Sequence, residues 1–376
     1  MSSKDDNVFA KESLMATDAG KEILRQAVFH SKGYKQFQYY KEKSEGEFPQ
    51  FVKRFVSDLH RLIKNDQNPT ATLASFISEA GATELSLEST KINDVKTRLS
   101  DLNFLTATVQ RILNSNYVKM TYPVFHALFD GARSHYNLQI NEENRNALID
   151  GHIIAIDLSE PMDRIIDRDE DLEYLDYYRL LNPYILNLAR AKISKCGEEV
   201  LQSFENGFKE AKVGQHVDYK LKMNPSLITD ETMSECYKKY RAVIGTAGKN
   251  MSLCKQPLAE IFYLGMARAG ESVGCGNEIE DSLKNGSIKI PSWPLYYAIN
   301  TNDVRRSFQL TIKKSELYLE DARLALEMLP TNFEVSPFLE FLFLTVKHYN
   351  QFWYKQLSKA DPFTSFEQKL SASIEN

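Results

Sequence analysis

The chain of 376 residues is short of the features that tie a sequence to a disulfide scaffold, a membrane or a nucleic acid. Its four cysteines, Cys196, Cys236, Cys254 and Cys275, lie far apart and form no Cys-x-x-Cys pair. That usage argues against a zinc ribbon or a disulfide framework and for buried thiols in a reducing compartment. The longest apolar run, Phe341–Val346 with its neighbours, is too brief and too interrupted to span a bilayer. The opening residues, Met1-Ser2-Ser3-Lys4-Asp5-Asp6, carry no apolar stretch of the secretory kind. No basic block stands out and the formal net charge is −5, so nucleic acid is a poor partner. These absences lead to the expectation of a soluble, cytoplasmic protein.

Several catalytic signatures are missing as well. There is no Gly-x-Ser-x-Gly and no His-Glu-x-x-His. Gly245-Thr246-Ala247-Gly248-Lys249-Asn250 looks like a piece of a phosphate loop. It lacks the first glycine of that pattern, and Asn250 stands where a Ser or Thr should hold a metal. Gly270 to Gly276 follows no strand and does not have the dinucleotide-binding spacing. The histidines, His152 and His216 among them, are scattered and read as structural or surface residues.

What is present is helix. Ala322, Ala325, Leu326 and Leu329 fall at i, i+3, i+4 and i+7, one apolar stripe. Pro330 closes that segment. Ser336-Pro337 opens the next, with Ser336 as N-cap and the proline at the first helical position. Phe338, Phe341, Leu342, Thr345, Val346 and Tyr349 continue at helical spacing. Alternating strand patterns, repeats and Pro/Gly/Ser-rich linkers are absent, and Ser287-Ile288-Lys289-Ile290 reads as a loop. Punctuation falls near Gln67-Asn68-Pro69, Tyr122-Pro123, Asn224-Pro225 and between Gly286 and Pro294. The expected fold class is all-α. Residues 1–90 are expected to form an N-terminal helical extension and 91–376 a large helical bundle. With 43% apolar residues a sizeable core is within reach, and the frequent Tyr and Phe suit an aromatic-lined core or cavity.

Carboxylates and their spacing carry the chemistry. Asp163 and Asp167, in Met162-Asp163-Arg164-Ile165-Ile166-Asp167, are separated by one helical turn and project on one face. Asp157 with Glu160 is an alternative pair, and a solvated charged helix end is the plainer explanation of either. Gly214-Gln215-His216-Val217-Asp218 follows an amphipathic stretch. Further on stand Tyr237, Tyr240, Gly245 and Thr246, then Asn277-Glu278-Ile279-Glu280-Asp281 and the run from Leu283 through Asn285, Lys289 and Pro294 to Ala298.

In order and rough spacing, from about residue 92 to 355, these motifs resemble the trans-isoprenyl diphosphate synthases and the related class I terpene synthases. The resemblance implies an all-helical bundle whose carboxylates hold Mg²⁺ against a prenyl diphosphate, with the hydrocarbon tail in the apolar interior. Loss of a leaving group with about three negative charges is easy only when cations neutralise it. By this resemblance Asp163 and Asp167 belong to the first acidic motif, with Arg164 where a second Asp is usual. Gln215, Asp218 and Thr246 take catalytic positions, although Gly245 replaces the lysine that normally precedes the threonine. The second acidic motif fits in two registers, one through Asn277, Glu278 and Asp281 and one through Glu278, Asp281 and Asn285. Asp281 belongs to both. Lys289 and Arg164 become candidate diphosphate ligands.

The departures bear on activity. Chain elongation needs a second diphosphate, held in the family by a basic segment and an Arg pair after the first acidic motif. Here only Lys119 survives before Pro123, and no Arg pair follows Asp167. Each lost charge-assisted contact costs about 1.5–3 kcal/mol, so elongation is disfavoured. What remains is ionisation of an allylic diphosphate with Mg²⁺. The alternatives are a prenyl synthase with unusual motifs, or a catalytically impaired regulatory or partner subunit; the expected assembly is a homodimer or a heterodimer with a prenyl synthase.

Overall fold

The computed structural model describes residues 31–81, 85–113, 116–157, 161–162, 165 and 172–374. The structure is 86% helical, with fifteen α-helices and no strand among the described residues, as the periodicity indicated. None of those helices is long and apolar enough to cross a membrane. The described chain divides into two compact units.

The first unit takes in 39–127 and 139–201. It holds most of α1 (Ser31–Asn65), then α2 (Pro69–Ala80), α3 (Ser89–Leu99) and α4 (Leu102–Leu113). The first turns of α5 (Asn116–Tyr136), with α6 (Glu142–Asp157) and α7 (Leu172–Ile193), complete it. Phe51, Phe55, Leu59 and Ile63 recur every four residues along α1 and are all fully buried, which fixes the face that this helix turns inward. The Asn68-Pro69 punctuation works as read. The Asn68 side chain caps α2 by accepting the Ala71 N–H, and Gly81 ends the helix in the left-handed conformation. Arg54 of α1 reaches the enclosed Asp150 of α6 with a two-pronged contact whose shortest arm is 2.9 Å.

One reading fails here. Tyr122-Pro123 does not punctuate the chain, because α5 runs straight through Pro123. A mid-helix proline costs about 3 kcal/mol. Burial of Tyr122, Val124, Phe125 and Leu128 around it offsets that cost.

The second unit takes in 31–38, 128–138 and 202–374. Its helices are α8 (Glu198–Met223), α9 (Asp230–Cys236), α10 (Lys238–Met251) and α11 (Leu258–Asn285). They are followed by α12 (Trp293–Thr301), α13 (Val304–Glu327), α14 (Ser336–Ala360) and α15 (Phe363–Ile374). The long α11 is the axis of this unit and packs against α10, α13 and α14. Ser272 of α11 donates to the Ser315 carbonyl of α13, and the Asn350 amide of α14 donates to the Ser272 carbonyl, so polar clasps fix the axis on two sides. Trp293, Phe308 and Phe366 fill the core beside it. Ser336 does not cap α14. It is already the first helical residue, the cap position falls to Val335 without a side-chain bond, and Pro337 alone supplies the start signal. The Gly286–Ser292 segment is a loop, as the sequence indicated.

Candidate functional site

Asp163, Arg164 and Asp167 lie outside the described residues. Lys119 sits on α5, but its side chain is not among those described. Of the alternative pair, Asp157 ends α6 in the first unit and Glu160 lies outside the described residues; the other sequence-derived positions fall in the second unit, where four segments bring a set of charged groups together.

The Gly214-x-x-x-Asp218 spacing has a physical reading. Both residues lie on the face of α8 turned to the α9–α10 junction. A Cβ on Gly214 would stand 2.4 Å from the Lys239 nitrogen and 2.9 Å from the Cys236 carbonyl oxygen. Only glycine permits that approach, and the approach puts Asp218 one turn later against α10. There the buried Asp218 carboxylate accepts from the Lys239 ammonium at 3.0 Å and from the Cys236 thiol at 3.4 Å, with Lys222 3.5 Å from its second oxygen. Burial works against the Asp218 charge, yet Lys239 and then Lys222 outweigh it and hold this carboxyl below the usual range. Gln215 is half-buried on the same turn.

Thr246 is buried against Gly207, facing α8 as Lys239 does two turns earlier. Gly245 faces the other way. A Cβ there would meet Ala267 and Tyr263 of α11. A lysine at 245 would therefore have to enter a helix–helix contact. Gly248 likewise serves the α10–α11 contact, since its Cβ would meet Met266 and the Phe262 carbonyl, so the phosphate-loop fragment is a helix-packing seam.

On α11 the acidic run splits among three directions. Asn277 accepts from the Tyr349 hydroxyl of α14 at 2.7 Å, and the same hydroxyl meets Glu280. Asp281 pairs with the Lys289 ammonium at 2.5 Å. Glu278 turns inward. Its carboxyl accepts the Trp293 backbone N–H at 3.0 Å, and the nearby Tyr237 hydroxyl lies 3.7 Å from Cys275 Sγ. Burial pushes Glu278 up to about 8, so it is a neutral acid at pH 7. Asn285 is exposed at the last turn.

Lys289 is delivered by a pinned loop. Its N–H donates to Ser282 Oγ at 3.2 Å, its carbonyl accepts from Ser292 Oγ at 2.6 Å, and Gly286 makes the left-handed turn that ends α11. Burial opposes the ammonium charge, but Tyr240 and Asp281 outweigh it and raise this lysine above its usual value. Tyr240 is itself pushed up to about 12 by burial and lies in the field of both Lys239 and Lys289. Lys239 also sits 5.3 Å from the centre of the Tyr240 ring. The cluster thus sets two acids and three ammonium groups, those of Lys222, Lys239 and Lys289, near one tyrosine. Behind it, Tyr237, Trp293 and Tyr318 form an aromatic wall, with the Lys314 ammonium 4.4 Å from the Trp293 ring centre.

Sequence reasoning missed Lys239 and Lys222. Lys222 was available from its i+4 relation to Asp218. Lys239 carried no local signal, since its partner is 21 residues away.

Mg²⁺ takes hard oxygen donors. Asp281 and Asn277 offer such oxygens, but Lys289 pairs with the first and the Tyr349 hydroxyl donates to the second. Glu278 does not, because it is enclosed and accepts from the Trp293 backbone N–H. Among the described residues no group of three or more His, Cys, Asp or Glu side chains is placed to hold a metal ion.

No family model matches the sequence, and no curated protein matches it. Solved structures do match. One is a polyprenyl synthase from Caulobacter crescentus CB15 complexed with calcium and isoprenyl diphosphate, at a TM-score of 0.50 and 11% identity, covering 78% of this chain and 97% of that one. Another is a decaprenyl diphosphate synthase from Rhodobacter capsulatus, at 0.49 and 13% identity, over 78% of this chain and 98% of that one. The fold is the all-α fold of the trans-isoprenyl diphosphate synthases.

Proposed function

We propose that this protein is a Mg²⁺-dependent, class I terpene synthase-like enzyme that ionises an allylic prenyl diphosphate and does not elongate chains. The reading is supported most by one observation. The Asp of the Gly-Gln-x-x-Asp motif and the Asp of the second acidic motif, 63 positions apart in the chain, each hold an ammonium beside the same tyrosine, Tyr240. Such an arrangement suits a diphosphate, because Lys239 and Lys289 can donate to its oxygens while Asp218 and Asp281 keep both ammonium groups oriented. A metal held at Asp281 would supply further positive charge to the leaving group. Ionisation breaks the allylic C–O bond, the electron pair leaves with the diphosphate, and the two lysines meet that growing charge. The divalent metal and isoprenyl diphosphate in the Caulobacter crescentus structure are in keeping with this chemistry.

The test is to incubate the protein with geranyl, farnesyl and geranylgeranyl diphosphate and Mg²⁺, and to measure released pyrophosphate and volatile hydrocarbons. Release that disappears in Asp281→Ala and falls in Lys239→Ala supports the reading. A second reading, an inactive partner subunit of a prenyl synthase, is favoured by Arg164, a cation set inside the first acidic motif. It predicts no release, with tight association to an active synthase.

A further inference from the structure

We propose that the outer face of α13 is an interface for a second copy of this chain, made by two α13 helices packed antiparallel about a twofold axis at Leu317. The inference is independent of the function proposed above.

α13 turns Phe308, Thr311, Ser315, Tyr318, Ala322 and Ala325 into the second unit. A helix packed this way usually carries polar residues on its other face. Here Leu310, Leu317 and Leu324 recur every seven residues along that face, and Met328 follows one turn on. Leu317 is 65% exposed, Leu324 48% and Met328 60%. A lone exposed leucine is ordinary, whereas a continuous apolar stripe marks a contact surface. Seven residues fall about 20° short of two full turns, so the stripe winds slowly, as it does in helices that cross at about 20°.

The charges choose the partner. Arg306 and Lys313 lie beside the N-terminal half of the stripe, Glu320 and Asp321 beside the C-terminal half. A parallel neighbour of the same sequence would set like charges side by side. An antiparallel one brings opposite charges together and also opposes the two helix dipoles. With the axis at Leu317, positions equally far before and after it face each other across the pair. Leu310 of each copy then meets Leu324 of the other, Leu317 meets its own equivalent, and Lys313 meets Asp321. Arg306 comes opposite Met328, where its stem covers the thioether and its head stays in water. Lys313 is exposed and forms no ion pair among the described residues. Lys314, its neighbour, is instead held over the Trp293 and Tyr318 rings. Asp321 lies 3.4 Å from Arg268 and remains half exposed. The 24 residues of α13 make a helix about 36 Å long. One such pair buries less than the about 800 Å² per partner of a standard interface, so micromolar association is expected.

Sedimentation velocity of the full chain between about 1 and 100 µM is the test. Lys313→Asp and Asp321→Lys should each raise the dissociation constant about tenfold or more, because each sets two pairs of like charges in the contact. An equimolar mixture of the two should recover wild-type association, since each variant supplies the charge the other has lost. Oxidation with diamide should link Leu317→Cys protein to itself. Leu310→Cys and Leu324→Cys should be linked only when mixed, because like positions then lie about 21 Å apart along the pair. Wild-type protein is the control for Cys196, the one native thiol that is not buried. Wild-type protein that stays monomeric at about 100 µM overturns the proposal. So do single charge variants that associate as the wild type does, and a mixture that recovers nothing. Asp321→Lys gives up the contact with Arg268, whose bond to Glu271 remains. If circular dichroism shows that fold disturbed, the cysteine pairings decide, and Leu317→Cys protein that forms no covalent dimer overturns the proposal.

Discussion

Replacing Gly214 by alanine is the sharpest test of how the site is built. In an ordinary helix interior the change stabilises, since alanine is favoured over glycine by about 1 kcal/mol. At position 214 the new methyl lands 2.4 Å from the Lys239 nitrogen and 2.9 Å from the Cys236 carbonyl oxygen. Both are backbone atoms and cannot rotate away, so α8 must retreat from α10 by about 1 Å to restore van der Waals contact. Overpacking of this kind costs about 1–3 kcal/mol. After the propensity gain is subtracted, a net loss of up to about 2 kcal/mol is expected, with Asp218 displaced from Lys239. Gly46, exposed on α1 with nothing within 4 Å of an added Cβ, is the internal control, and Gly46→Ala should gain about 0.5–1 kcal/mol. The protein has two tryptophans, Trp293 and Trp353, both in the second unit, so urea unfolding followed by tryptophan fluorescence reports on the unit that contains Gly214. Gly46→Ala is followed by far-ultraviolet circular dichroism. A Gly214→Ala protein whose urea midpoint equals or exceeds that of the wild type would refute the close approach and the account of the motif built on it.

Three other outcomes are expected. Glu278 is raised to about 8 in the folded chain from an ordinary value of 4.5, so the folded state holds a proton that the unfolded state has released. Between about pH 4.5 and 8 the wild type therefore loses stability with rising pH relative to Glu278→Gln, by up to about 1.4 kcal/mol per pH unit; paired urea titrations at pH 5.5 and 8 check this, and parallel curves would contradict it. In the first unit, Arg54→Ala strands the enclosed Asp150 carboxylate. The loss should be about 2 kcal/mol, below the range for a fully buried pair because Arg54 is 41% exposed, and adding Asp150→Asn should recover part of it in a double-mutant cycle. Lys239→Ala should weaken inorganic pyrophosphate binding about tenfold in isothermal titration, as loss of one charge-assisted contact implies, and unchanged affinity would remove Lys239 from the site.

The sequence by itself determined the fold class and the punctuation at Asn68-Pro69 and after Gly286, but not at Pro123, where the helix runs through. Helical periodicity needs only neighbours three and four residues apart, which is why the stripe on α13, the Asn68 cap and the loop after Gly286 could be read directly. The motif glycine at 214 and the acid at 218 were also legible, because one turn of helix joins them. Tertiary structure alone decided the rest. Glu278 and Asp281 stand in one acidic run and look alike in sequence, yet their directions differ by most of a right angle around α11, so one is sealed against Trp293 and the other meets Lys289. The cation that meets Asp218 across the α8–α10 contact was equally hidden. The contact between α10 and α11 leaves no room at 245, and only the approach of α8 selects Lys239. Local pattern fixes which way a side chain leaves its own helix; what it meets there is set by packing between segments far apart in the chain.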